Sequence, residues 1–479
     1  MESRITSNMK ETMRGNIRQQ LIVAGENPYP QDGHKTHTNA EALALTGGEQ
    51  TQIAGRIMGI RGHGKLRFMD VVDDTGKLQV VFKADKLPDD WERLDTIQKG
   101  DFIRTSGTRF ATKAGEESVL VTGYELISKA LQDLPDTWQG ITDPETRYRK
   151  RSLDMLINPE VKNILKLRSV ITQSVRETLL DTGFIEVDTP VLQPLYGGAN
   201  ARPFTTKIWA WDNMEMYLRI SPELYLKYYI MGGMDKVFEI ARNFRNEGVD
   251  KTHNPEFTMM ECYAAYWDYH DMMDLTEVIY RNATLAATGA TTVNYQGTEL
   301  DFGRRWERLT MYEGINKYLG VDVTKMTDSE IKEQLTRHNL EYKGAWVRGL
   351  GIAKLSEAIE QYLIQPTFLT DMPRETTSLC KPHRNHSELI ERFEPYINGW
   401  EVGNAYTELN DPVLQRQFWE EERQEEDDAH PLDETFIEAM EHGMPPTGGL
   451  GLGIDRMVML LTNQTKIRDV IAFPTMKRI

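Results

Sequence analysis

Cysteine is nearly absent: Cys262 and Cys380 are the only two in 479 residues. A disulfide framework is thereby excluded, and the chain fits a reducing, cytoplasmic setting. Long apolar runs are missing as well. No window approaches the ~18 uninterrupted apolar residues that a membrane span needs, so no membrane partner is expected. The opening residues, MESRITSNMKETMRGNIRQQ, lack the apolar core of a signal peptide. No internal repeat and no low-complexity tract is found. Excess positive charge is lacking too. The formal net charge is −17, which by itself points away from a nucleic-acid binder, since phosphate contacts need clustered Lys and Arg. The acids concentrate late, however, as in EEERQEEDD at 420–428, and local basic patches survive elsewhere. Composition leaves the partner open.

What is present reads as an ordinary soluble chain, 27% charged and 39% hydrophobic, long enough for two or three domains. It is organised around VFEIARNFRNEGVDKTHNPEFTMMECY, residues 237–263. Val237 to Glu247 alternates, with Glu239, Asn243, Arg245 and Glu247 on one face and Phe238, Ile240 and Phe244 on the other. A loop closed by Asn254-Pro255 follows, and a second run puts Phe257, Met259, Glu261 and Tyr263 on one face. The pattern predicts a long antiparallel hairpin with a mobile, charged tip. Its polar face joins a guanidinium fork, suited to phosphate or carboxylate, to carboxylates suited to an ammonium. A salt-bridged solvent face would carry the same residues.

Residues 1–48 read as a helical and extended lead-in with little core of its own. From 49 to 130 five short strands, TQIAGRIMGIRG, LRFMDVVDD, KLQVVFK, DFIRTSGTRF and SVLVTGYELI, predict a small closed barrel of OB-fold type. The stretch 131–158 is polar, then basic at Arg147, Arg149, Lys150 and Arg151; it reads as a linker. Its basic cluster either solvates a helix end or meets a nucleic-acid backbone. From Pro159 apolar residues recur at helical spacing up to Gly183, a C-cap, before a short strand ending at Thr189-Pro190. Between about 310 and 365 a polar helical insertion is expected, with a helix start at Thr327-Asp328.

Three further runs carry candidate chemistry. YLRISPELYLK places Glu223 in the first turn of a helix, and GGANARPF is a glycine turn where backbone can approach a ligand. In FEPYINGWEVGNAYTELNDP, strand phase sets Asn404, Tyr406 and Glu408 on one face. Glu401 falls out of phase unless a bulge near Gly403 restores it. PTGGLGLGIDRMVMLL offers Gly449, Gly451 and Gly453 for close approach to a nucleotide, with Arg456 opening an apolar helix.

FRNEG, HNPEFT and MxExY in that order resemble motif 2 of class II aminoacyl-tRNA synthetases, and HNPEFTMMExYxAY is similar to the lysyl-tRNA synthetases. The helix-strand-Pro segment from Pro159 resembles motif 1, a dimer interface, and GLGIDR with LLTNxxxIRDVIxFP resembles motif 3. IxGRIMxxRxxGKLxFxDVxDxxGKLQVV is similar to that family's anticodon-binding domain. The resemblance covers nearly the whole chain. It implies an α+β fold: a five-stranded OB barrel, then a catalytic domain (159–479) on an antiparallel sheet flanked by helices.

The same resemblance implies a lysine–tRNA ligase reaction. L-lysine and ATP would give lysyl-adenylate and pyrophosphate, and lysine would pass to the 3′-terminal ribose of tRNA(Lys) on a homodimer. It assigns lysine to Gly198, Glu223, Arg245, Glu261, Tyr263, Asn404, Tyr406 and Glu408. ATP falls to Arg245, Glu247, His253, Asn254, Phe257, Glu394, Glu401 and Arg456, with Phe257 stacking on adenine and Arg245 and Arg456 catalytic. Glu394 and Glu401 would hold Mg²⁺, and Arg61, Phe68 and Gln79, with Glu116 nearby, would read anticodon bases. An aspartyl or asparaginyl enzyme would need cations or amide readers in the pocket, and a lysine ligase acting on a translation factor would lack the barrel. A non-catalytic relative would have lost motif residues. The segment PRETTSLCKPHRNH (373–386) departs from the family wording, as does Tyr196. Cys380, His383 and His386 lack a convincing fourth ligand for zinc.

Overall fold

The computed structural model describes residues 12–135, 140–425 and 432–478. The start of the lead-in (1–11), part of the expected linker (136–139) and the end of the acidic run (426–428) lie outside the described residues. The chain forms two compact units, one up to Gly140 and the other from Ile141 onward.

In the first unit, strict alternation builds five strands: Gln50–His63, Leu66–Asp73, Gly76–Lys83, Phe102–Ala111 and Glu117–Ser128. They close into a barrel because the first strand pairs with both the second and the fourth. Ile53, Ile57, Met69, Val71 and Val80 point inward and are fully buried. The lead-in contributes to that core. A helix over Met13–Val23 supplies Leu21, and a helix over Asn39–Ala44, started by a Thr38–Glu41 capping box, supplies Ala42. Asn39 Nδ2 fastens it by donating to the carbonyls of Val71 (3.0 Å) and Gly76 (2.8 Å).

The second unit is built on a nine-stranded sheet. Its order is Glu307–Thr310, Thr367–Pro373, Leu389–Ile397, Gly403–Thr407, Thr447–Gly453, Glu256–Ala265, Lys236–Phe244 and Ile185–Glu186, with Trp400–Glu401 paired to Leu389–Ile397. The centre is antiparallel, as expected, while both outermost pairs are parallel. One face of the sheet is apolar: Phe238, Met260, Cys262, Phe393, Ala405, Leu450 and Leu452 are buried in one cluster with the helices Pro159–Asp181, Tyr269–Thr288 and Ile454–Leu461. Each fully buried large side chain there contributes about 1.5–3 kcal/mol. The other face carries the polar residues of the same strands.

The stretch expected as a linker is helical from Pro144 to Arg149 and from Arg151 to Ile157. Arg151 is buried, paired with Asp154 (2.8 Å), and donates to the carbonyls of Arg468, Ile471 and Ala472 at 2.9–3.0 Å. The basic cluster is thus largely consumed inside the unit, with Arg147 on Asp154 and Arg149 on Glu145. The insertion contains helices Met311–Leu319, Asp328–Arg337 and Arg348–Ser356, two of them started by capping boxes at Thr310 and Thr327. They form a separate cluster against Leu369 and Ile390 at the sheet edge.

Candidate active site

Strand register assembles the polar face. Glu261 stands opposite Gly451, which stands opposite Asn404; Tyr263 stands opposite Gly449, which stands opposite Tyr406, which in turn faces Arg392. Two cross-strand rows therefore present side chains from the outer strands, with glycines between them leaving a trough. The trough opens into a cavity of about 570 Å³. Gly449 is required there: a Cβ would overlap Glu408 Oε1 and come within 2.6 Å of Tyr263 Cε1. Its role is to clear the carboxylate pocket, not the nucleotide side expected from the sequence.

The hairpin forms as predicted, Glu239 pairing with Glu261 and Asn243 with Phe257. Its tip is tied internally, since Asp250 accepts from the backbone of Thr252 (2.7 Å) and His253 (2.8 Å). Glu239 shares the strand face but serves structure, binding Arg219 (2.7 Å) and Thr189 (2.6 Å). The strand carrying Glu401 breaks at Val402, whose N–H donates to the Pro395 carbonyl (2.9 Å) between the Trp400–Glu401 and Gly403–Thr407 strands. This break restores Glu401 to the cavity wall.

At one end of the cavity three carboxylates converge. Glu223 opens the helix Glu223–Met231, Glu261 lies mid-strand and Glu408 follows the Gly403–Thr407 strand; all three are buried and all line the cavity. Ser221 Oγ donates to Glu261 (3.0 and 3.2 Å) while accepting from the Glu223 N–H (3.1 Å), and Tyr263 OH donates to Glu261 (3.3 Å). Burial, reinforced by the charge of Glu223, pushes the Glu261 carboxyl up to about 8 despite these bonds. Burial also pushes the Glu408 carboxyl up, against the pull of Lys227. Gly198, at φ +83°, brings the glycine turn against this wall; a Cβ there would meet Glu223 Cβ at 2.9 Å.

Behind the carboxylates sits Lys227, a residue the sequence reading passed over. Its Nζ lies 2.6 Å from Glu223 Oε1 and 2.5 Å from Glu408 Oε2. Burial works against its charge, but the two carboxylates outweigh burial and push its pKa up. Arg392 was passed over as well. It donates to Asn404 Oδ1 (3.0 Å), Glu394 (2.7 Å) and the Thr376 carbonyl (3.2 Å), while Asn404 Nδ2 donates to Tyr406 OH. Its even spacing from Glu394 on one strand was the available signal.

The other end of the cavity is cationic. Arg245 lines it, with its guanidinium carbon 5.1 Å from the Phe257 ring centroid and its buried Nε lacking a partner among the described residues. Burial lowers its pKa, opposed by Glu261, Glu247 and Glu401. Arg456 donates to the Glu401 carbonyl and approaches His253 Nε2 at 3.4 Å. Glu247, His253 and Asn254 line the same region, and the buried Asn254 Oδ1 has no partner among the described residues. Asp455, also missed, fixes the arrangement by accepting from Arg168 (2.6 Å) and from the Thr258 N–H (2.7 Å).

Glu401 lines the cavity, whereas Glu394 does not and is bonded to Arg392 (2.7 Å) and Tyr396 OH (3.0 Å). Burial and the neighbouring Glu394 charge push Glu401 up to about 7, in spite of Arg456, Arg392 and Arg245. Glu401 on the cavity wall, with Glu394 close enough to repel it, offers oxygen ligands of the kind a hard divalent cation takes. Cys380 is buried with its Sγ on the carbonyls of Lys381 and Thr407. Among the described residues no group of three or more His, Cys, Asp and Glu is placed to hold a metal. The atypical segment supplies Arg374 to Leu379 to the cavity wall, beside Phe418 and Trp419.

On the barrel, register aligns Arg61 with Phe68 and Asp70 with Gln79 on one face. Arg61 pairs with Asp70 (2.8 Å), and its charge is favoured by that bond and by nearby Glu116. Phe68 stays out of the barrel core and partly exposed, whereas Gln79 is buried against Ser118 (3.4 Å).

The fold agrees with comparisons to known proteins. The family model described as tRNA synthetases class II (D, K and N) matches residues 143–477, and the OB-fold nucleic acid binding domain matches 51–127. A chain that carries such a barrel followed by this sheet and its motifs is a class II tRNA synthetase. Among curated relatives, the lysine–tRNA ligase of Saccharolobus solfataricus is 45% identical over 478 residues, covering 96% of both chains. Those of Clostridium perfringens and Roseiflexus castenholzii are each 44% identical, over 482 and 477 residues, covering 96–98% of this chain and 96% of theirs. The chain belongs to the lysine–tRNA ligase family.

Proposed function

We propose that this protein activates L-lysine with ATP, releasing pyrophosphate, and transfers the lysyl group to the 3′-terminal ribose of tRNA(Lys). The observation that carries this reading is the convergence of Glu223, Glu261 and Glu408 at one end of a cavity whose other end holds Arg245 and Arg456. A lysine side chain ends in an ammonium with donors only. Glu223 and Glu408 take that ammonium, Tyr263 and Tyr406 flank the aliphatic stem, and Glu261 takes the α-ammonium. A neutral side chain would leave buried carboxylates without their counterion, a strongly disfavoured outcome.

Arg245, whose charge is favoured by both Glu261 and Glu401, has an unpartnered Nε that can grip the lysine carboxylate or the α-phosphate. The lysine carboxylate attacks the α-phosphorus, and Arg456 with His253 offsets charge on the departing pyrophosphate. The adenylate carbonyl is then attacked by the tRNA ribose hydroxyl. No protein nucleophile is required; alignment and charge stabilisation carry the rate. Glu394 and Glu401 would hold Mg²⁺, which when bound neutralises phosphate charge.

Arg61 and Phe68, opposite one another and both reached by solvent, support anticodon reading by the barrel, with an aromatic face for stacking and a cationic fork beside it; Gln79, also expected to read a base, is buried against Ser118. The exposed Leu180, Ile185, Val191, Leu192 and Leu195, at the end of the Pro159–Asp181 helix and just beyond it, support a homodimer. Among the described residues no helix is long and apolar enough to cross a membrane, and a cytoplasmic setting is part of this reading. The test is ATP–pyrophosphate exchange with each of the twenty amino acids on purified protein. Exchange with lysine alone is expected; exchange with a different amino acid, or with none, overturns it.

A further inference from the structure

We propose that Lys227 is a specificity-determining positioning residue: seated behind the cavity wall between Glu223 and Glu408, its ammonium fixes both carboxylates and leaves one net negative charge for one incoming ammonium. The proposal deepens the lysine-activation reading and rests on it.

Three observations carry it. Lys227 Nζ bridges the two carboxylates at 2.6 and 2.5 Å, although they come from distant parts of the chain. Lys227 is 1% exposed and does not line the cavity, whereas Glu223 and Glu408 both do. Its ammonium is therefore placed to act on the carboxylates without meeting the substrate. Neither Glu408 oxygen has a hydrogen-bond partner among the described residues; Oε2 is ion-paired with Lys227, whereas Oε1 abuts the space that Gly449 keeps clear. Glu408 thus gives one oxygen to the resident cation and keeps the other unclaimed.

The charge balance makes the consequence definite. Two buried carboxylates without a cation repel each other and are not held in one geometry. With Lys227 between them, one negative charge is neutralised permanently from behind. The remaining charge matches a single side-chain ammonium, so the filled site is neutral. An amino acid with an uncharged side chain leaves that charge uncompensated. Lys227 therefore tunes the pocket for one cation.

The test compares Lys227→Met, Glu223→Gln and the double variant by lysine-dependent ATP–pyrophosphate exchange, with lysine and ATP titrated separately and folding followed by thermal melting. Lys227→Met is expected to raise the KM for lysine at least about tenfold, leaving kcat and the KM for ATP within about threefold. Glu223→Gln, which leaves Lys227 and Glu408 mutually neutralised, also weakens lysine. The double variant restores one net negative charge and is expected to bind lysine better than either single variant, a non-additivity that a merely structural role would not produce. A double variant as weak as its weaker parent, or an unmoved KM for lysine in folded Lys227→Met, overturns the proposal. Should Lys227→Met fail to fold, the double variant against Glu223→Gln decides: no gain in lysine affinity overturns it. The unsubstituted protein is assayed first. Absence of lysine-dependent exchange there overturns the activity reading, whereas normal exchange with unaffected variants overturns only the role of Lys227.

Discussion

Gly449→Ala tests the pocket at its tightest point. An added Cβ would stand 2.6 Å from Tyr263 Cε1 and overlap Glu408 Oε1. Ordinary carbon contacts lie at roughly 3.5–4 Å, so Tyr263 must retreat by about 1 Å and Glu408 by more. Tyr263 is held by Glu261, and Glu408 by Lys227 at 2.5 Å, so neither moves alone. Overpacking of this kind costs about 1–3 kcal/mol of stability, and a misplacement of about 1 Å costs about 10²-fold in rate. The assay is ATP–pyrophosphate exchange with lysine and ATP varied independently. The expected result is a loss of about 10²-fold in kcat/KM for lysine, with the KM for ATP within a few-fold, since Arg245, His253 and Arg456 are not displaced. A variant that keeps kcat/KM for lysine within about threefold would refute the placement of the amino acid between Glu408 and Tyr263.

The raised Glu261 carboxyl makes a pH prediction. Its folded-state pKa of about 8 exceeds the ordinary 4.5, so the folded chain holds that proton more tightly than the unfolded chain. The stability this contributes is complete below 4.5 and is lost as pH rises through about 8. Denaturant titrations should show Glu261→Gln gaining stability relative to the parent across that window; parallel curves would contradict the assignment. Glu401→Gln should raise the Mg²⁺ concentration needed for half-maximal exchange while leaving the KM for lysine nearly constant, and an unchanged Mg²⁺ dependence would remove Glu401 from the metal. Asp455→Asn should destabilise the second unit by about 1–3 kcal/mol by weakening the charged bond to Arg168, measured as a fall in denaturation midpoint; an unchanged midpoint would show that the pair does not brace the sheet. Arg61→Ala should leave tRNA-independent exchange intact and lower the rate of lysylation of tRNA(Lys), which a filter assay of charged tRNA reads directly.

Period-two alternation made the barrel and the central hairpin legible, because half-buried strands write their two faces into the sequence. The out-of-phase Glu401 was legible as a problem, and the break at Val402 supplies its solution. Burial of Arg151 was not legible, since its partners are carbonyls at the far end of the chain and any sequence offers carbonyls. The parallel edges of the sheet depend on outermost strands of two and four residues whose pairing is decided by the loops and helices between them.

Lys227 shows where residue-by-residue assignment stops. In sequence it stands four residues after Glu223 on a helix, the spacing of an ordinary surface ion pair worth a few tenths of a kcal/mol. What changes its meaning is Glu408, brought beside it by the pairing of the Gly403–Thr407 strand with Thr447–Gly453. Carboxylates that face a substrate can be inferred from what the substrate needs. A cation behind them answers a different demand, that of keeping two like charges close together in a buried wall. That demand exists only once the sheet has formed, so the residue meeting it is found from distances and burial.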